Sequence, residues 1–290
     1  MRRCLMPLLG LALLAGCRGY ESIEVDGTRR DFLLHVPAGA APAEGRPLVI
    51  AFHGAYSTPD ATEDYTGLST LADAENFVVV YPKGKQRLWN DGRIPDAYDD
   101  VAFTAALIDH LIASEDVDPD RVFVTGISNG GFMAHRIGCD LGDRVAAIAP
   151  VAGTLSQELL EVCEPAGPVA MMMFMGTDDD LVPYEGGELG GKLGAGIFGT
   201  MLSARDTAEQ WAGFEGCVGE PALETRNAVD DGTQVETLRY AGCDERGPVV
   251  LHTIVGGGHT WPGADEVAGL GPVSAELDAS AEMWAFFSAL

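Results

Sequence analysis

Two side chains lying far apart in the chain, Ser128 and His259, have the types needed for nucleophilic chemistry, and each follows an apolar run. Ser128 sits in Val122-Phe-Val-Thr-Gly-Ile-Ser-Asn-Gly-Gly-Phe-Met-Ala134. A β-branched run leads into Gly126-Ile127-Ser128-Asn129-Gly130, and helix-compatible residues follow. This G-x-S-x-G spacing is that of a nucleophile elbow, a sharp strand-to-helix turn that lifts one serine hydroxyl above a sheet. The turn is tight, so the positions two before and two after the serine must be small. Both are glycine.

A serine hydroxyl is a weak nucleophile and needs a base within hydrogen-bond reach, itself oriented by a carboxylate. His259 is the candidate base, in Gly256-Gly-Gly-His-Thr-Trp-Pro-Gly263 after the apolar run Val249–Val255. A parallel sheet places its ligand crevice at such strand ends. His35 and His252 fall inside strand-like runs, and His110 and His135 on helix-like ones. The acid belongs in Gly176-Thr-Asp-Asp-Asp-Leu-Val-Pro-Tyr184, after the run Val169–Met175. Pattern alone leaves Asp178, Asp179 and Asp180 open. The order serine, acid, histidine is the one expected of an α/β-hydrolase. A tetrahedral intermediate also needs amide donors for its oxyanion. The Asn129 N–H, just after the nucleophile, is one. The Ala55 N–H, in His53-Gly54-Ala55 after the run Leu48–Phe52, is the second, with Gly54 beside it. Trp89 and Trp261 are the aromatics expected to stack on substrate. No His/Cys cluster has metal-ligand spacing, so neither metal nor other cofactor is expected.

These residues require a scaffold of strands alternating with helices. Apolar runs at Leu48–Phe52, Phe77–Tyr81, Arg121–Thr125, Val145–Pro150, Val169–Met175 and Val249–Val255 read as buried strands, with an earlier strand over Arg30–Pro37. Gln234–Tyr240 alternates polar and apolar residues, as a half-exposed strand does. Helices are expected over Gly67–Asn76, after Asp99-Asp100, after the elbow, over Ser203–Phe214 and over Ala275–Leu290. On the second of these, Val101, Ala105, Ile108 and Ile112 are expected to form the buried stripe. Glu185–Gly199 reads as a glycine-rich surface loop. The fold class is α/β, a mainly parallel sheet with helices on both faces, in one domain over residues 30–290.

The formal charge of −26 on 290 residues is expected to repel nucleic acid and anionic lipid surfaces, which disfavours a phosphate-tracking role. Met1-Arg-Arg3 followed by the apolar run Cys4–Leu14 reads as a processing segment too short to span a bilayer. It ends in Leu14-Ala15-Gly16-Cys17, which resembles the lipobox of bacterial lipoprotein signal peptides. That resemblance implies a signal peptide over 1–16, lipidation of Cys17, and an anchor and linker over 17–29. The chain is then extracytoplasmic, and touches a membrane only through its lipid. Cys139, Cys163, Cys217 and Cys243 remain, an even number suited to an oxidising compartment. Cys139–Cys163 and Cys217–Cys243 are the expected pairs, since each closes a short local loop.

Several stretches together resemble the poly(3-hydroxybutyrate) depolymerase-like esterases, close to the feruloyl and acetylxylan esterases of carbohydrate esterase family 1. They include "AFHGAYS", "FVVVYPKGKQRLWNDG", "VDPDRVFVTGISNGGFMAHRIGC", "MGTDDDLVPYEGG", "QWAGFEGC" and "GGGHTWPG". The resemblance covers nearly all of the chain beyond the leader. It implies Ser128 as nucleophile, His259 as base, and an acid in G-T-x-D-x-x-V-P-Y, which falls on Asp179. It also matches family cysteines to Cys139 and Cys217. Met175 departs from the family, which usually has histidine before the G-T. The expected activity is hydrolysis of feruloyl or acetyl esters on polysaccharide, or of hydroxyalkanoate oligomers. No polymer-binding appendage is legible, which favours soluble or oligomeric esters. A peptidase on the same fold and a non-catalytic polymer-binding lipoprotein are the rival expectations.

Overall fold

The computed structural model describes residues 19–93, 98–189, 199–243 and 247–290. The expected signal peptide, Cys17 and most of the expected glycine-rich loop lie outside the described residues. Apolar runs form the centre of the sheet. These are β3 (Arg46–Phe52), β4 (Val78–Pro82), β5 (Val117–Ile127), β6 (Ala147–Val151), β7 (Ala170–Gly176) and β12 (Val249–Val255). They pair in parallel in the order β4-β3-β5-β6-β7-β12. Antiparallel strands flank this block: β1 (Glu21–Val25) and β2 (Thr28–His35) on one side, β11 (Gln234–Tyr240) and β10 (Ala222–Arg226) on the other. A two-stranded ribbon of β8 (Gly187–Glu188) and β9 (Thr200–Met201) lies apart from the sheet.

Strand side chains alternate between two faces, and each face has its own helices. Leu48, Ile50, Phe52, Val122 and Val124 share one core with α3 (Asp100–Ser114), α4 (Asn129–Asp140) and α6 (Ala204–Phe214). Val49, Ala51, Phe123, Met172 and Phe174 share the other with α2 (Leu68–Glu75) and α7 (Ala279–Phe287). The remaining helices are α1 (Pro59–Thr66) and the short α5 (Gln157–Leu160). Starts are set by side-chain caps: Thr58 with Pro59 behind it for α1, Asp99 for α3, Ser203 for α6 and Asp278 for α7.

Four expectations are corrected. Residues 17–29 are not all linker, because β1 pairs with β2 over Glu21–Val25 and extends the sheet. On α3 the buried face is Phe103, Thr104, Leu107, Ile108 and Leu111, whereas Val101, Ala105 and Ile112 sit at its margin. The bulkier Phe103, Leu107 and Leu111 win the sheet contact because they remove more apolar area from water. The C-terminal helix starts at Ala279, where the Asp278 carboxylate accepts from the Ala281 N–H. Helix α1 and strand β10 had no assigned element. Strand β10 is exposed along its whole length and lacks an apolar signal, and α1 is polar. Both disulfides, Cys139–Cys163 and Cys217–Cys243, join the expected partners.

Candidate active site

Strand β5 delivers Ser128 at its C-terminal end, and α4 begins on the next residue. The serine has φ 61° and ψ −121°, a conformation costly for a residue with a Cβ and typical of functional turns. The turn is held by backbone bonds: Ser128 N–H to the Val151 carbonyl at 2.9 Å, and Phe132 N–H to the Ser128 carbonyl at 2.9 Å. The flanking glycines have no alternative. A Cβ on Gly126 would lie 2.5 Å from the Gly130 oxygen, and one on Gly130 would lie 2.3 Å from the Phe52 oxygen.

The three consecutive aspartates separate by environment. Asp178 and Asp180 face water, while Asp179 is 5 % exposed. Its Oδ1 accepts from the Leu181 and Val182 amides, both at 2.8 Å, and its Oδ2 lies 2.7 Å from His259 Nδ1. That contact fixes the imidazole ring and leaves Nε2 as its second functional nitrogen. The two loops are stitched together beneath the pair. Asp178 N–H donates to the Gly257 carbonyl at 2.9 Å, and Gly256 N–H donates to the Thr177 hydroxyl at 2.8 Å. Met175 is buried in β7, pairing with Thr253 of β12.

Ser128, His259, Gly54 and Ala55 line one cavity of ≈ 690 Å³. Its walls are largely apolar, with Ile127, Leu181, Val267, Leu270 and Tyr65. Asp64 and Asp265 add carboxylates to the lining. Sequence reasoning missed this wall. The Thr58-Pro59 cap signature was the signal that a helix, and hence Tyr65, follows Ala55.

The Ala55 loop is held by a buried histidine. Burial lowers the pKa of His53 to about 4, so the ring is neutral at neutral pH. Its Nε2 accepts from the Gly84 N–H at 3.0 Å, which leaves Nδ1–H to donate to the Gly54 carbonyl at 2.8 Å.

Trp89 and Trp261 do not reach the cavity. Both are buried, at 0 % and 1 % exposure. Large indoles remove much apolar area from water and still satisfy their N–H inside a core. Trp261 Nε1–H donates to the Ser280 hydroxyl, and its backbone N–H donates to the Tyr65 hydroxyl. Trp89 Nε1–H donates to the His53 carbonyl at 2.8 Å. Its backbone N–H donates to Asn129 Oδ1 at 2.8 Å, while Asn129 Nδ2 donates to the Trp89 carbonyl and to Asp91 Oδ2. The buried Arg93 guanidinium holds Asp91 through two contacts, Nη2–Oδ2 at 2.5 Å and Nε–Oδ1 at 3.0 Å. The Asn129 side chain thus clamps the Trp89–Arg93 segment, while its main chain opens α4. Among the described residues no group of His, Cys, Asp and Glu could hold a metal ion.

The profile of the family described as esterase PHB depolymerase matches residues 30–166. NocK of Nocardia uniformis subsp. tsuyamanensis, named as an esterase, is 34% identical over 84% of this chain and 74% of its own length. Feruloyl esterase B of Piromyces equi is 33% identical over 79% of this chain, which spans only 42% of that protein. Among solved structures, the acetyl xylan esterase from Aspergillus awamori has a TM-score of 0.65, covering 94% of this chain and 100% of that one. At 16% identity, that likeness speaks for the α/β-hydrolase fold alone.

Proposed function

We propose, because this chain belongs to the esterase PHB depolymerase family and is a carboxylic-ester hydrolase, that it works through Ser128, His259 and Asp179. Ser128 Oγ attacks the ester carbonyl while His259 Nε2 takes its proton. The proton then passes to the leaving alcohol, and water repeats the sequence on the acyl-enzyme. Asp179 stabilises the imidazolium through the Nδ1 contact. The Asn129 and Ala55 amides receive the oxyanion, the former aided by the positive end of α4. The observation that carries this reading is the 2.7 Å contact of a buried Asp179 with a histidine that shares its cavity with Ser128 and Ala55.

Feruloyl or acetyl esters on polysaccharide, and hydroxyalkanoate oligomers, are the proposed substrate classes. The names of the relatives support the first and the family description supports the second. The largely apolar cavity suits an aryl or alkyl acyl group. The chain acts outside the cytoplasm, in keeping with its two disulfides. Residues 1–16 direct export, Cys17 carries the lipid, and one catalytic domain follows.

Ser128→Ala is expected to bring hydrolysis of p-nitrophenyl acetate and methyl ferulate to background in a protein that still unfolds cooperatively. A folded and active Ser128→Ala variant sinks the mechanism. Labelling by a fluorophosphonate separates this enzyme from a polymer-binding protein, and peptide substrates assayed beside esters separate it from a peptidase. Acetylated xylan, feruloylated oligosaccharide and hydroxybutyrate oligomers, compared by kcat/KM, choose among the substrates.

A further inference from the structure

Tyr20, Tyr56 and Tyr98 are the exposed tyrosines among the described residues, at 37 %, 40 % and 47 %, and each contacts the stretch from Lys83 to Arg87. Its turn is Lys85–Arg87, entered through Lys83. Lys83 Nζ lies 4.9 Å from the centre of the Tyr20 ring, and Lys85 Nζ lies 5.8 Å from that of Tyr98. The Tyr56 N–H donates to the Arg87 carbonyl at 2.8 Å. A chain with only 18 basic residues against 44 acidic ones therefore gathers three of them here, two of them over tyrosine rings, with the Lys85 ammonium also donating to the Arg29 carbonyl.

The backbone around this turn is held away from its ordinary preferences. Tyr56, Gln86 and Arg87 have φ of 60°, 55° and 60°, three of the eight non-glycine residues with positive φ among the described residues. Such conformations persist where surrounding structure enforces them, and they cluster at active sites, ligand clamps and switch regions. Nothing in the proposed ester chemistry employs Tyr20, Lys83, Lys85 or Tyr98.

The place where the chain enters the structure suggests what covers the patch. Tyr20 is fixed on α1 by its hydroxyl, which donates to Asp60. Cys17 is three residues earlier, a reach of about 10 Å at full extension. An acyl chain on Cys17 would therefore keep the face around Tyr20 close to the bilayer. Tyrosines are enriched where protein meets lipid headgroups, and lysine and arginine beside an anchor are drawn to anionic ones. The chain as a whole is strongly acidic and is repelled by the same surface, whereas here Lys83, Lys85 and Arg87 stand beside two carboxylates, Asp60 and Asp31.

We propose that Tyr20, Tyr56, Lys83, Lys85, Arg87 and Tyr98 form a docking surface for an anionic lipid bilayer. The chain then sits flush on the membrane with one rim of its catalytic cavity at the headgroup layer, since Tyr56 directly follows the cavity residue Ala55. The inference uses the reading of Cys17 to orient the molecule. It does not depend on the reading of Ser128.

The test uses the exported chain without residues 1–16 and carrying Cys17→Ser, so that no acyl chain contributes. It is mixed at low ionic strength with vesicles of phosphatidylglycerol and phosphatidylcholine, or of phosphatidylcholine alone, and sedimented. Partitioning to the anionic vesicles at least tenfold above the neutral ones is expected, with loss of that preference in K83E/K85E/R87E and in 0.5 M salt. Hydrolysis of a soluble ester by the triple variant should stay unchanged, which shows that it is folded. Equal partitioning to both vesicles, or a triple variant that still prefers the anionic ones, overturns the proposal. Binding to soluble polygalacturonate without binding to vesicles also overturns it, in favour of an anionic polysaccharide.

Discussion

Three adjacent aspartates with the same chemistry have different fates because one backbone turn buries only the middle one. Asp179 accepts two amide hydrogens and faces the imidazole, whereas its neighbours face water. Asp179→Ala is expected to lower kcat by about 10³- to 10⁴-fold, the scale seen when a triad acid is lost. Asp178→Ala and Asp180→Ala should each stay within about threefold of the wild type, as surface substitutions do. Kinetics on one soluble ester checks all three, and equal losses would remove Asp179 from its proposed role. Asp91 acts at one remove, through the Asn129 side chain. A small displacement of a positioned group can cost about 10²-fold. Asp91→Ala is therefore expected to reduce kcat by roughly 10- to 100-fold with KM little changed. A rise in KM at constant kcat would place Asp91 in binding instead.

Elements explain why some of this was legible in sequence and some was not. The elbow could be read because its requirement is local: glycine at two fixed offsets from Ser128, a strand before and a helix after. His259 could be read because a glycine-rich turn after an apolar run marks a strand end. Choosing Asp179 needed a resemblance, since burial of one aspartate in three is decided by the turn to Leu181 and Val182. The cavity wall was not legible, because α1 and the segment near Val267 and Leu270 become its lining only through packing. Trp89 and Trp261 were misplaced for a related reason: proximity in sequence to functional residues says nothing about which side of the sheet an indole enters. The disulfides are an element-scale feature too. Cys139 is in the last turn of α4, the helix that starts at the elbow, and is tied to Cys163 across a separation of 24 residues. The C139S/C163S pair should lose about 2–4 kcal/mol of stability by urea unfolding while keeping its activity in the absence of denaturant. Unaltered stability would mean that α4 is anchored by packing alone.

For the whole molecule, buried histidines set an acid limit. His53 and His135 are lowered to about 4, and His252 to about 3, chiefly by burial. These groups are neutral when folded but take up a proton near pH 6.5 when unfolded. Their contribution is complete above about pH 6.5, falls as pH drops towards 4 for the first two and 3 for the third, and is then spent. Each pH unit within that window costs about 1.4 kcal/mol per histidine. Chemical denaturation between pH 7.5 and pH 4.5 should show a falling midpoint, and His252→Gln, which removes one titration, should flatten the slope. An identical slope in that variant would rule His252 out as a contributor.

The proposed catalytic groups are divided between two halves of one sheet. Ser128 and the oxyanion amides come from β3 and β5, and Asp179 and His259 from the loops after β7 and β12. Between them lies β6, whose end carries two successive links: the Ser128 N–H to the Val151 carbonyl, and the Ala152 N–H to the Phe174 carbonyl of β7, each at 2.9 Å. Turnover is therefore a sensor of folding cooperativity. A partly open form in which the C-terminal strands detach keeps its serine and loses its base, and it goes silent while most helices persist. Activity measured along a gentle denaturant ramp would then fall ahead of the far-ultraviolet signal, and the gap between the two curves would measure how independently the halves come apart.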